Sequence, residues 1–128
     1  VARKFGRIVN IASTAALKGY PYTSAYAAAK HGLLGLTRAV AIEVASTGVT
    51  VNAVCPGFTD TDMAEASIQT IVAKTGRTVE AARAELTRTN PMGRMIAPED
   101  VADAVCFLAR RESGAITGSA VTVAGGEV

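Results

Sequence analysis

Two short β-branched runs constrain this chain most: Ile8-Val9-Asn10-Ile11-Ala12 and Val49-Thr50-Val51-Asn52-Ala53-Val54-Cys55. Neither alternates polar and apolar residues as a strand with one wet face does. Near-continuous apolar runs of this length suit strands buried on both faces, as in parallel sheets. Parallel neighbours cannot be joined by a tight turn and need a crossover, usually a helix. The stretch between the two runs supplies one. Residues 13–23 are small, polar and Gly/Pro-bearing, so they form a loop, and from Ser24 to about Ala45 the pattern is helical. Thr23 or Ser24 stands where a cap is needed, and Gly48 follows the end. The helix interior carries Ala25, Ala28, Ala29, Gly32, Gly35 and Ala39. Each glycine weakens a helix by about 1 kcal/mol relative to alanine. Such residues are tolerated where another backbone comes close, so tight packing on both sides of this helix is expected.

Beyond Cys55, Pro56-Gly57 ends the strand sharply. Residues 58–90 form a long polar insertion with two weakly amphipathic helices, about Asp62 to Lys74 and about Val79 to Thr87, joined by the turn Thr75-Gly76-Arg77-Thr78. Pro98 opens a further helix, with Glu99 and Asp100 in the first turn where the dipole favours acids, and it runs to about Arg110. Val121-Thr122-Val123 is a final strand before Gly125-Gly126. Strands alternating with helices specify an α/β layered domain with right-handed parallel crossovers. Three strands are few for such a sheet and leave two bare edges, so further strands are expected. Val1 to Arg7 read as the tail of an earlier helix, with Arg3 and Lys4 near its C-terminus and Gly6 as the stop. The chain is therefore expected to be cut at its front end.

Composition narrows the function classes. The chain's 128 residues suit one domain, and 49% hydrophobic against 19% charged residues excludes disorder. A net charge of +2 without a basic run argues against nucleic acid or an anionic membrane as partner. No apolar run approaches the roughly 20 residues of a membrane span. Cys55 and Cys106 both sit in apolar runs and read as buried, reduced thiols of a cytoplasmic protein. His31 is the only histidine, and no cluster has metal-ligand spacing.

Three residues carry candidate chemistry: Ser13, Tyr26 and Lys30. Tyr26 and Lys30 are four apart on a helix and share a face. An ammonium within reach of a phenol favours the phenolate, so such a tyrosine can exchange a proton near neutral pH. Ser13 follows a strand end, on the edge where open α/β sheets bind ligands. Its hydroxyl there can hold a carbonyl oxygen beside Tyr26. Taken singly, a Tyr–Lys pair at this spacing is more often a surface aromatic beside a solvated amine, and a serine at such a position more often caps a loop. Asn52 and Cys55 read as structural, and His31 lies on another face of the helix from Lys30.

The full arrangement resembles the short-chain dehydrogenase/reductase family along essentially the whole chain. Gly6-Arg7-Ile8-Val9-Asn10-Ile11-Ala12-Ser13 is similar to the family's fifth strand with its serine, and Tyr26-Ala27-Ala28-Ala29-Lys30 to its Tyr-x-x-x-Lys signature. Val51 to Gly57 is similar to the strand and Pro-Gly that meet the nicotinamide, with Thr61-Asp62-Met63 at the usual offset. Pro98-Glu99-Asp100-Val101-Ala102 and Ile116-Thr117-Gly118 complete the series. The resemblance implies a Rossmann-like doubly wound parallel sheet, of which residues 1–128 are the C-terminal half, with residues 58–97 as a substrate lid. It implies an NAD(P)-dependent oxidoreductase that interconverts a ketone and a secondary alcohol. In that reading Tyr26 is the proton donor and acceptor and also contacts the cofactor, Lys30 supports it and binds the nicotinamide ribose, and Ser13 positions the carbonyl. Pro56, Gly57, Thr59 and Thr61 hold the carboxamide end of NADP or NAD.

Within the family, residues 6–63 most resemble bacterial 3-oxoacyl thioester reductases and polyketide ketoreductases. That implies an acyl-CoA or acyl-carrier-protein thioester as the small-molecule carbonyl substrate. Lys74, Arg77, Arg83, Arg88 and Arg94 then become candidates for a CoA or phosphopantetheine phosphate, although ordinary solvated helix charges are the commoner role. A homotetramer is the family expectation. The Gly-rich phosphate turn and the residue that selects NAD or NADP belong upstream of Val1, and Ala124 replaces the family's frequent Asp before Gly-Gly. The competing reading is a non-enzymatic fragment that keeps the oligomerising surfaces but binds no cofactor.

Overall fold

The computed structural model describes residues 3–128. The elements are β1 (Gly6–Ile11), α1 (Ser24–Val44), β2 (Val49–Pro56), α2 (Asp62–Thr75), α3 (Val79–Thr87), α4 (Pro98–Ala109) and β3 (Ala120–Val123). The three strands form one parallel sheet in the order β1-β2-β3. Gly6 pairs with Val49 and Ile11 with Val54 on one side of β2, and Ala53 pairs with Ala120 on the other. All three strands therefore end together, which brings the loops after β1 and β2 side by side. Among the described residues no helix is long and apolar enough to cross a membrane.

Central β2 is buried from Val49 to Cys55, as its sequence requires. β1 departs from expectation. Among the described residues it has a neighbour on one side only, so Ile8 and Ile11 stand half-exposed rather than buried. Gly6 also does not stop a helix; it opens β1, and Arg3 and Lys4 lie in a turn. Val1 and Ala2, the start of the expected helix tail, fall outside the described residues.

The helices cover both faces. Asn10 and Ala53 are register partners, and Asn10 donates to Thr37 of α1 at 2.9 Å, so α1 lies on their face. Arg7 and Thr50, register partners on the opposite face, turn toward the end of α4. There the Arg7 guanidinium donates to the carbonyls of Arg110 and Arg111 at 3.1 Å each. Two crossovers that advance in the same direction with helices on opposite faces have opposite hands. The uniform right-handedness expected from sequence therefore fails at one of them: the rule is a tendency of single β-α-β units, and the sequence carries no sign of which face each helix covers.

α1 packs through Leu34, Thr37 and Ala41. Its other face departs from expectation: Gly32 and Gly35 are exposed, and no neighbouring atom lies within 4 Å of the place a Cβ would take at either. The small residues leave room for a close partner, but among the described residues that room is filled on one side only. Cys55 is buried as expected, whereas Cys106 is exposed on α4. Its apolar neighbours in sequence belong to different faces of that helix. A second small core, Ala64, Ile68, Ala82, Leu86 and Met95, holds α2 and α3 together apart from the sheet.

Candidate active site

Ser13 sits just after the end of β1 in extended backbone and caps the short helical turn Thr14–Ala16, its Oγ accepting from the Ala15 N–H at 3.1 Å. The cap leaves the hydroxyl its own proton to donate into the space beside it. Tyr26 lies in the first turn of α1 and is half-exposed. Lys30, one turn on, donates from Nζ to the Ile11 carbonyl at 3.0 Å, with Nζ 5.6 Å from the Tyr26 ring centroid.

The loop after β2 forms the opposite wall. The Gly57 N–H donates to the Val123 carbonyl at 3.0 Å, and a Cβ at Gly57 would stand 3.1 Å from that of Ala124. Glycine at 57 and the small Ala124 therefore permit the same close approach. The Thr59 hydroxyl donates to the Gly57 carbonyl at 3.0 Å and that of Thr61 to the Thr59 carbonyl at 3.3 Å, so both shape the loop itself. Thr59 also bridges to Ile96, which ties this loop to the segment leading into α4.

These elements enclose a cleft of about 590 Å³, within the usual range for a small-molecule site. Ser13, Tyr26 and Lys30 line one part of it, and Pro56, Gly57, Thr59 and Thr61 line another. All seven residues singled out from sequence thus meet in one cavity at the C-terminal ends of the strands, where open α/β sheets bind ligands. The other candidates stand elsewhere. His31 bonds through Nδ1 to the Ala27 carbonyl of its own helix at 2.9 Å. Cys55 packs in the core with Ala12, Ala16, Leu34 and Ala53, and burial pushes its thiol up. Asn52 is fully buried, donating to the Ile116 carbonyl at 2.7 Å and accepting from the Ser119 N–H at 3.0 Å.

Four of the five cations considered for a phosphate are paired within the chain. Arg77 and Arg88 both meet Glu85, Arg83 meets Asp60 and Glu65, and Arg94 meets Asp100, all within 3.1–3.5 Å. Of the five, only Arg88 lines the cleft.

Sequence reasoning missed a polar cluster at one end of the same cleft. Glu127 is buried and accepts at Oε1 from the Tyr20 hydroxyl at 2.7 Å, the Thr89 hydroxyl at 2.7 Å and the Lys18 ammonium at 3.1 Å. Tyr20 is also 2.7 Å from the Thr14 hydroxyl, and its ring meets that of Phe58 edge-on. No spacing rule links residues so far apart in the chain; an acid after Gly-Gly and an aromatic in the Ser13–Tyr26 loop were the only signals.

Residues 1–127 match the model of a family described as enoyl-(acyl carrier protein) reductase. The chain is 43% identical over 123 residues to the D-beta-hydroxybutyrate dehydrogenase of Rhizobium meliloti, spanning 95% of this chain and 48% of that protein. It is 40% identical over 126 residues to the 3-oxoacyl-[acyl-carrier-protein] reductase FabG of Rickettsia bellii, spanning 98% of this chain and 48% of that one. Among solved structures, the F189W variant of actinorhodin polyketide ketoreductase with NADPH superposes with a TM-score of 0.91 at 41% identity, over 98% of this chain and 48% of that one. The chain thus spans about half the length of the curated relatives it matches.

Proposed function

The chain belongs to the short-chain dehydrogenase/reductase family, and on that premise we propose that it forms the substrate half of an NAD(P)-dependent reductase interconverting a 3-oxoacyl and a 3-hydroxyacyl thioester. The observation that carries this reading is the meeting of Ser13, Tyr26 and Lys30 in one cleft with the Pro56–Thr61 loop. The names of the relatives above support the 3-oxoacyl class.

The chemistry follows from the side chains. The Ser13 hydroxyl donates to the substrate carbonyl oxygen and fixes its direction. Tyr26 gives its proton to that oxygen in reduction and recovers it in oxidation. The Lys30 ammonium favours the negative charge left on the Tyr26 oxygen.

The donor set also fits a nicotinamide nucleoside. Lys30 has three N–H donors and places one on Ile11, leaving two for ribose hydroxyls. Pro56 to Thr61 offer backbone groups and hydroxyls to a carboxamide. When bound, NADPH or NADH supplies the hydride to the carbonyl carbon. By the family resemblance, the turn that would hold its phosphates lies outside the stretch matched here.

Residues 58–97, with their own small core around Ile68 and Leu86, act as the lid over the acyl chain. The bare face of α1 with exposed Leu36 and Ile42 suits self-association. The substrate reading is tested by supplying NADPH and acetoacetyl-CoA to the full-length polypeptide. Consumption of NADPH is expected. Indifference to acetoacetyl-CoA with reduction of a sugar or steroid ketone would sink the 3-oxoacyl assignment.

A further inference from the structure

We propose that Glu127 is a positioning residue that locks Tyr20 as a fixed apolar wall of the cleft, selecting the apolar part of an acyl chain. This deepens the reductase reading and rests on it for the reacting carbonyl.

The argument starts from one oxygen. Oε1 of Glu127 takes three donors from two segments: Lys18 and Tyr20 in the loop after Ser13, and Thr89 just beyond α3. The Glu127 side chain is only 1% exposed. Burying a carboxylate is costly unless its lone pairs are engaged, and here a charged donor and two hydroxyls engage one oxygen. Such bonds are short and strong. An ionised carboxylate only accepts, so the Tyr20 hydroxyl donates to Glu127 and receives the Thr14 hydroxyl proton in return.

The consequence falls on the cleft. With its hydroxyl bonded on both sides, Tyr20 offers the cavity its ring alone. That ring packs edge-on against Phe58, centroids 6.4 Å apart at 74°, a favoured aromatic geometry. The Lys18 ammonium lies 5.1 Å from the Tyr20 ring centroid. Tyr20 and Phe58 both line the cleft that holds Ser13 and Tyr26. A hydroxyl laid against these two rings finds no hydrogen-bond partner in them and loses its water, a loss an apolar chain does not suffer. The same carboxylate ties the catalytic loop to the end of α3 through Thr89, so the wall holds its position relative to both.

The experiment uses the full-length polypeptide and the variants Glu127→Ala, Glu127→Gln and Tyr20→Phe. The first readout is the ratio of kcat/KM for 3-oxooctanoyl-CoA to that for the same thioester with a terminal hydroxyl. Glu127→Ala is expected to lower the ratio about tenfold, equivalent to ~1.4 kcal/mol, through KM with kcat nearly unchanged. Glu127→Gln, whose amide oxygen can occupy the Oε1 position, restores most of it. Should Glu127→Ala not fold, Tyr20→Phe breaks the same bond from the other side and is expected to lower the ratio likewise.

The second readout needs no turnover: a slowly exchanging phenolic proton in the NMR spectrum, assigned by its loss in Tyr20→Phe, present in the parent and in Glu127→Gln. An unchanged ratio in Glu127→Ala and Tyr20→Phe, or absence of that proton from the parent, overturns the proposal. If the parent reduces neither ketone, the reductase reading fails, and the phenolic proton alone decides whether Glu127 holds Tyr20.

Discussion

The Lys30 ammonium is hydrogen-bonded to the Ile11 carbonyl across 3.0 Å, so the helix that carries Tyr26 is pinned to the end of the strand that delivers Ser13. The lysine therefore fixes geometry as well as supplying charge. Lys30→Met is expected to lower kcat at least tenfold and to weaken nicotinamide binding, the cost of removing a charged hydrogen bond being about 1.5–3 kcal/mol. Lys30→Arg should recover only part, since a planar fork cannot reproduce an ammonium's compact donors. Steady-state kinetics beside a cofactor titration of the full-length polypeptide measure both.

Gly125 lies at φ 62°, and a Cβ there would fall on the Asn90 side-chain amide. Asn90 is buried and in turn donates to the Arg94 carbonyl at 2.8 Å. Gly125→Ala is expected to destabilise by more than ~1–3 kcal/mol, the range for a strained backbone alone. Gly76, at φ 68° with open space around it, is the control, and Gly76→Ala should show only the backbone part. Thermal unfolding of the two variants separates the contributions.

Acid stability should depend on Glu127. Burial pushes its carboxyl up, but the bonds from Thr89, Tyr20 and Lys18 outweigh this and hold it below its ordinary value of 4.5. A carboxyl depressed in the folded state gives stability that is fully present above the unfolded value and lost as pH falls through the lower folded one. Unfolding free energy is therefore expected to fall below about pH 4.5, and Glu127→Gln should flatten that slope. For Lys18, burial pulls down, but Glu127 and Tyr20 raise it above 10.5. Its contribution is present below 10.5 and fades as pH climbs through the higher folded value. Denaturant titrations across pH check both limbs.

Much of the candidate site's placement was legible in the sequence because its residues are punctuated locally. Ser13 ends a β-branched run, Tyr26 and Lys30 share a helical face, and Pro56-Gly57 terminates a strand, so each lies within a few residues of an element boundary. The helix bounds followed for the same reason: α3 spans Val79–Thr87 as read, with the Thr78 hydroxyl accepting from the Ala81 N–H at its start. What failed depends on neighbours in space. The exposure of Ile8 and Ile11 reflects what lies beside β1, not their own apolarity. The bare flank at Gly32 and Gly35 and the outward Cys106 have the same origin. The Glu127 cluster was invisible because a buried carboxylate beside Tyr20 is a product of the tertiary fold, with no periodicity to announce it.

The central claim is that Tyr26 moves the proton in a reductase cleft. Its most direct test is Tyr26→Phe in the full-length polypeptide, with NADPH binding and acetoacetyl-CoA reduction measured on the same preparation. Removing only the hydroxyl should leave cofactor affinity within about twofold and cut kcat by about 10²–10⁴, the usual worth of a positioned general acid. A variant that reduces the substrate at the parent rate would contradict the assignment.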